Sequence, residues 1–158
     1  MWYTIVDMKK ILLTQGKYAL VDDTDFEFLN QWKWYYNKGY AIRHSSKDNS
    51  EKIYMHRLVN KTPDGLETDH INQDKIDNQR INLRTATRSQ NGINKGLQLN
   101  NKSCFKGVCW NNYCKKWMVR IRVNNKLRHI GYYDNLEVAG LDYKIMACQL
   151  FGEFANMI

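Results

Sequence analysis

The sequence predicts an α+β chain in two parts: a small mixed scaffold that runs into a hairpin-and-helix core, then a three-stranded antiparallel sheet backed by one helix. Three observations carry this. Apolar residues alternate with period two over short stretches, most strictly at 117–123, the mark of half-buried strands. Thr24-x-x-Glu27 and Thr87-x-x-Gln90 are capping boxes, in which a hydroxyl and a carboxyl or amide satisfy orphan N–H groups at a helix start. A polar, aperiodic stretch at 96–103 reads as a linker, so the chain divides into 1–95 and 104–158.

In order, 11–13 and 18–21 read as two strands around a Gln15-Gly16 turn. The first capping box opens a helix through about Trp32. Trp32, Trp34, Tyr35 and Tyr36 follow, and these rings are expected in the core because large aromatics bury the most area per residue. Strands are expected at 40–43 and 52–55 around a polar loop at 45–50, then a short helical piece, HRLVN, with His56 as a structural residue. Pro63-Asp64-Gly65 turns the chain into a short strand around 66–71, which puts Asp69 and His70 on opposite faces. Asn82-Leu83-Arg84 reads as its partner strand, and the second capping box starts a helix carrying Asn91 in its first turn, with Gly96 available to end it.

Past the linker, strands are expected at 105–110, 117–123 and 126–131, with Asn124-Asn125 as the last hairpin turn. Trp117, Val119, Ile121 and Val123 face one way, and Met118, Arg120 and Arg122 the other. Asp134-x-x-Glu137 opens a helix through about Phe151, whose Leu136, Ala139, Tyr143, Ala147 and Leu150 recur at helical spacing and cover the apolar face.

Of the 158 residues, 43% are hydrophobic and 13% aromatic, too many for a disordered chain. No apolar run approaches a membrane span, and the N-terminus, with Asp7 and no small-residue cleavage site, makes a poor leader, so a cytoplasmic protein is expected. Cys104, Cys109, Cys114 and Cys148 lack Cys-x-x-Cys spacing and read as reduced thiols, not zinc ligands. The net charge is +8, and its placement is more informative than its size. Residues 78–133 hold twelve Lys or Arg and no Asp or Glu. An ordinary solvated face mixes signs, so this run is the footprint of a nucleic-acid binder.

The chemistry concentrates at 67–95, ETDHINQDKIDNQRINLRTATRSQNGINK. Hydrolysing a phosphodiester needs an activated water, a Lewis acid on the phosphate and support for the leaving oxygen. A neutral His serves as general base, while a carboxylate and an amide oxygen suit a hard cation. Asp69, His70 and Asn91 supply that minimal set.

The segment DHINQDKIDNQRINLRTATRSQNGIN resembles the HNH nuclease motif, the ββα-metal fold found in many phage homing endonucleases, and the match extends over 55–95. The resemblance implies that His70 is the general base and that Asp69 and Asn91 hold one divalent metal, magnesium or alternatively manganese, with no zinc. It implies that Asn82 fixes the loop between the strands and orients His70 through backbone bonds. Arg84 and Arg88 would meet phosphate, with Arg84 counted in the catalytic set, and Asn78 and Asn94 are read as structural. The implied activity is a metal-dependent DNA endonuclease, of homing type, leaving 5′-phosphate and 3′-hydroxyl ends in a phage or bacterial host cell.

The stretch from Phe105 to Met157 resembles the APETALA-type (ethylene-response-factor) DNA-binding domain, through Lys-Gly-Val after an aromatic, Lys-Trp opening the second strand and Ile-Gly-Tyr-Tyr closing the third. That family inserts its sheet into the major groove, which implies double-stranded DNA as the partner, with contacts from Lys106, Trp110, Arg120, Arg122 and Arg128. Cys109 stands where many members carry Arg. Two other readings remain open: a non-catalytic sequence-specific DNA-binding regulator, and a restriction or defence nuclease with the same centre. A monomer would nick, whereas a homodimer would cut both strands, and the sequence leaves the choice open.

Overall fold

The computed structural model describes residues 8–45 and 51–156. The N-terminal residues 1–7 and all but Ser45 of the expected polar loop lie outside them. The chain divides into two units, 1–91 and 92–158, each with its own core. The described residues are α+β, with small antiparallel sheets among short helices, as predicted.

In the first unit, β1 (Met8–Leu12) and β2 (Tyr18–Asp22) pair around a turn in which Gln15 adopts φ 62°. The helix that follows, α1 (Asp23–Asn30), has Asp22 as its N-cap, two residues before the expected cap Thr24. The Asp22 side chain makes no cap bond. Its carboxylate instead accepts from the Arg80 backbone N–H and from Gln79, so a tertiary contact displaces the local capping box.

A three-stranded meander comes next: β3 (Tyr35–Asn37), β4 (Tyr40–His44) and β5 (Lys52–Tyr54). The first of these was not expected, because a run of consecutive aromatics hides the period of two. Trp34 is buried, as expected of the cluster, and its Nε1 donates to the Leu29 carbonyl at 2.8 Å. Tyr35 is exposed, so the cluster is only partly core. Leu29, Trp34, Met55, Val21 and Leu83 close the core of this unit.

From the meander the chain runs into α2 (Met55–Asn60), β6 (Glu67–His70), β7 (Leu83–Ala86) and α3 (Arg88–Asn94). Arg57 donates to the Leu66 carbonyl at 2.8 Å and to those of Thr62 and Pro63, which ties α2 to the turn that delivers β6. The capping box of α3 forms as read: Thr87 N–H donates to Gln90 Oε1 at 2.8 Å, and Gln90 N–H to Thr87 Oγ1 at 3.3 Å.

The second unit is a sheet of β8 (Val108–Asn111), β9 (Lys116–Val123) and β10 (Lys126–Tyr133), in the order β10-β9-β8, covered by α4 (Leu136–Phe151). Asn124 and Asn125 have φ of 49° and 61°, the two left-handed residues that a type I′ hairpin turn needs. Val119, Ile121, Ala139, Tyr143 and Ala147 form the core. Gly140 lets Phe105 lie directly on the helix, since a Cβ there would come within 2.3 Å of the Phe105 ring. The cap of α4 is Asn135 rather than Asp134: its side chain accepts from Val138 N–H at 3.0 Å, while Asp134 pairs with Lys116 at 3.1 Å. No helix among the described residues is long and apolar enough to cross a membrane.

Candidate active site

β6 and β7 pair over only four positions, with Asp69 opposite Arg84 and His70 opposite Leu83. The strands are joined by a long loop, 71–82, and its polar residues fold it onto itself. Asn82 is the staple: its Oδ1 accepts from Asn72 N–H at 2.9 Å, its Nδ2 donates to the Asp77 carbonyl at 2.8 Å, and its own carbonyl accepts from Ile71 N–H at 2.9 Å. Asn72 Nδ2 donates to Asp77 Oδ2 at 2.8 Å across the same loop.

His70 is buried at the end of β6. Its Nε2 lies 3.3 Å from Oδ1 of Asn78, a residue with no exposed surface. The Asn78 amide is oriented by its Nδ2, which donates to the Ile76 carbonyl at 3.2 Å. With Oδ1 thus turned to His70, Nε2 is the donor and the imidazole lone pair lies on Nδ1. Burial holds His70 below the ordinary His value, opposed by the Asn78 bond and by Asp69, Asp77 and Asp74. A neutral ring at neutral pH follows.

His56, at the start of α2, stands against this ring with centroids 5.0 Å apart in an edge-on arrangement. Tyr40 packs on both imidazoles, and Tyr54 on His56. His56 is pushed down to about 3, first by burial and then by the charges of His70 and Arg57. Its Nδ1 is buried with no hydrogen-bond partner.

On the other face of β6, Glu67 and Asp69 stand two residues apart. Arg84 donates to Asp69 Oδ2 from Nε at 2.8 Å, with Nη2 at 2.7 Å. Asn91, from α3, donates Nδ2 to Glu67 Oε2 at 2.6 Å. That bond commits the nitrogen end of the amide, so the oxygen is the donor Asn91 has left for a cation. A carboxylate and an amide oxygen are hard donors and fit magnesium, which keeps several waters and takes few protein ligands. Among the described residues no group of three or more His, Cys, Asp or Glu side chains is placed to hold a metal ion.

The second unit sorts the remaining candidates by face. Cross-strand partners share a side, and Arg120 pairs with His129, Arg122 with Leu127 and Met118 with both Cys109 and Tyr132. These residues form the face opposite α4. Trp110 pairs with Trp117, and Arg128 with the buried Ile121, which places both on the α4 side, Trp110 at the edge strand. Lys106 donates Nζ to the carbonyls of Ile93 and of Lys95, the latter at 2.7 Å, and burial lowers its pKa. It sits on the last carbonyls of α3, a common use of lysine at a helix C-terminus. Arg88, in the first turn of α3, is exposed.

The structure bonds His70 and Asn82 into the 71–82 loop and joins Asp69 to Arg84 and Asn91 to Glu67, partners to which the sequence reading gave no such roles. Asn78 is read as structural from the sequence, and its bond to His70 is what the structure adds. Glu67 has no role in the sequence reading, although its alternation with Asp69 puts both on one face. Asp22, Asp25 and Arg80 are joined across more than fifty residues, a separation that no local pattern encodes.

Residues 54–93 match the family model described as HNH endonuclease. An uncharacterized HNH endonuclease of Acanthamoeba polyphaga mimivirus is 32% identical over 148 residues, covering 89% of this chain and 74% of that protein. Protein 3.8 of Escherichia phage T7 is 29% identical over 94 residues, 60% of this chain and 77% of that protein. No solved structure matches.

Proposed function

The chain belongs to the HNH endonuclease family and is a nuclease, with DNA as the substrate this implies, and we propose that it is a metal-dependent endonuclease of homing type whose general base is His70. The observation that carries the assignment is the Asn78–His70 bond, which leaves the lone pair of a buried, neutral imidazole on Nδ1. His70 Nδ1 takes the proton of the attacking water, and Nε2–H keeps donating to Asn78 Oδ1 as the ring becomes cationic. Asp74 and Asp77 then stabilise that cation. Asn82 keeps the loop folded so that Asn78 stays in place.

Asp69 and Asn91 would hold one divalent ion, magnesium first and manganese second, and that ion would supply Lewis-acid polarisation of the scissile phosphate and support for the leaving 3′ oxygen. Arg84 holds the Asp69 carboxylate, and Glu67 turns the Asn91 amide. Cleavage on the 3′-oxygen side leaves 5′-phosphate and 3′-hydroxyl ends. The second unit binds duplex DNA in the APETALA manner through the face of Arg120, Arg122 and His129. Among the described residues, Arg80, Arg84 and Lys116 of this carboxylate-free run pair with carboxylates, Lys106 and Arg122 donate to carbonyls, and Arg120 donates to Cys109 Sγ.

The deciding test is duplex cleavage by wild type and His70→Ala with mapped ends. Loss of cutting with duplex affinity retained supports the base, and retained cutting removes it. A wild type that binds one sequence tightly and cuts nothing would favour a non-catalytic regulator.

A further inference from the structure

The loop that carries Asn78 is gripped from outside the nuclease motif. Leu20 in β2 donates its N–H to the Ile76 carbonyl at 2.9 Å and accepts from Asn78 N–H at 2.8 Å, so the loop adds a parallel bridge to the β1–β2 hairpin. Two residues on, Asp22 Oδ2 accepts from Arg80 N–H at 3.0 Å, and Oδ1 accepts from Gln79 Nε2 at 3.4 Å. In α1, Asp25 takes a two-pronged bond from the Arg80 guanidinium, Nε to Oδ2 at 2.7 Å and Nη2 to Oδ1 at 2.6 Å. Asp22 and Asp25 are both buried. Asp22 also forgoes the side-chain cap that its place at the start of α1 offers.

We propose that β1, β2 and α1 act as a clamp on the catalytic loop, with Asp25 and Arg80 as positioning residues for His70. This rests on the reading of His70 as general base. A four-residue strand pairing followed by a twelve-residue loop has little rigidity of its own, because loop backbone outside a ladder is the first part of a fold to open. Asn78 is where the two systems meet: its backbone N–H is bonded to Leu20 and its side chain to His70. Freeing the Arg80 end of the loop therefore reaches the imidazole through one residue. A small displacement of a general base costs rate while leaving substrate affinity alone.

Arg80 is half-exposed, so contact with a DNA phosphate is the competing role. The experiment uses the full chain with Asp25→Asn, Arg80→Gln, the double variant and Arg80→Lys, each checked for wild-type circular dichroism. Three quantities are read: single-turnover cleavage at saturating duplex, amide hydrogen exchange over 76–80, and the ¹⁵N shifts of the His70 imidazole. The clamp predicts faster exchange, a weaker Nε2–H tautomer signal and a cleavage rate reduced by about 10-fold to 100-fold. Duplex affinity and its salt slope stay at wild-type values. The double variant is no slower than the worse single one, and Arg80→Lys recovers part of the rate.

Unchanged exchange and imidazole shifts in Asp25→Asn overturn the clamp. So does an Arg80→Gln defect confined to affinity and salt slope, which would make Arg80 a phosphate contact. If the wild type cleaves no duplex, the nuclease reading falls, and exchange and imidazole shifts still decide whether the clamp holds the ring. Should Asp25→Asn fail to fold, Arg80→Lys carries the same three readouts, and wild-type values there overturn the proposal.

Discussion

Arg84 places Nε and Nη2 on a single oxygen of Asp69, at 2.8 and 2.7 Å, and both side chains are nearly sealed from solvent. The pair sits directly across the β6–β7 ladder. Breaking a buried ion pair from one side strands the remaining charge, which costs about 3–5 kcal/mol. Arg84→Ala is therefore expected to unfold at markedly lower urea concentration than wild type, with Arg84→Lys intermediate because lysine lacks the fork. An Arg84→Ala protein of wild-type stability that loses only DNA affinity would return Arg84 to the role of phosphate contact.

The buried His56 makes stability depend on acid. Its folded value of about 3 lies below the ordinary 6.5, so between those pH values the unfolded chain carries a proton that the folded chain refuses. Stability contributed by the neutral ring is complete above pH 6.5 and falls as the pH drops toward 3, by on the order of a few kcal/mol. Urea titrations at pH 7, 5.5 and 4 should show this slope in the wild type. His56→Phe keeps the ring packing and removes both the titration and the orphaned Nδ1. Its slope should flatten, and an undiminished slope would assign the acid sensitivity to other groups.

Alternation and capping patterns were enough for the strands that pair with near neighbours: β1 with β2, β6 with β7, and the β8–β10 sheet. They failed where tertiary contacts compete with local rules. Asp22 gives its carboxylate to the loop instead of capping α1, and at the start of α4 Asn135 is the cap while Asp134 pairs with Lys116. At the site, the motif singles out Asp69, His70 and Asn91 because their chemistry is rare in combination. Glu67, Asn78 and Arg80 are recognisable only by what they touch. The sheet face shows the same limit from the other side: Arg120 and Arg122 could be assigned by parity within one strand, whereas Arg128 needed the register between strands.

The amide of Asn91 is turned by Glu67, so Glu67 should matter for metal affinity without being a ligand. Partners of this kind typically contribute about 10-fold to 100-fold in affinity. Manganese titration followed by electron paramagnetic resonance should show that loss in Glu67→Ala and near-complete loss in Asp69→Ala. Chelation should stop duplex cleavage, and added magnesium should restore it. Wild-type manganese affinity in Glu67→Ala would mean that the amide finds its orientation without the carboxylate.

Arg120 and Arg122 project from the face of the second unit's sheet opposite α4, and Arg128 from the side that α4 covers. If that open face meets DNA, Arg120→Ala and Arg122→Ala should each lower duplex affinity and reduce the slope of log K against log salt by about one. Arg128→Ala should change the slope little. Lys106→Ala should act differently again, lowering thermal stability through the carbonyls of Ile93 and Lys95 that it leaves unbonded. Fluorescence anisotropy at four salt concentrations separates these cases. Equal slope losses for Arg120, Arg122 and Arg128 would mean that charge alone, and not the orientation of one sheet face, governs how this unit holds the duplex.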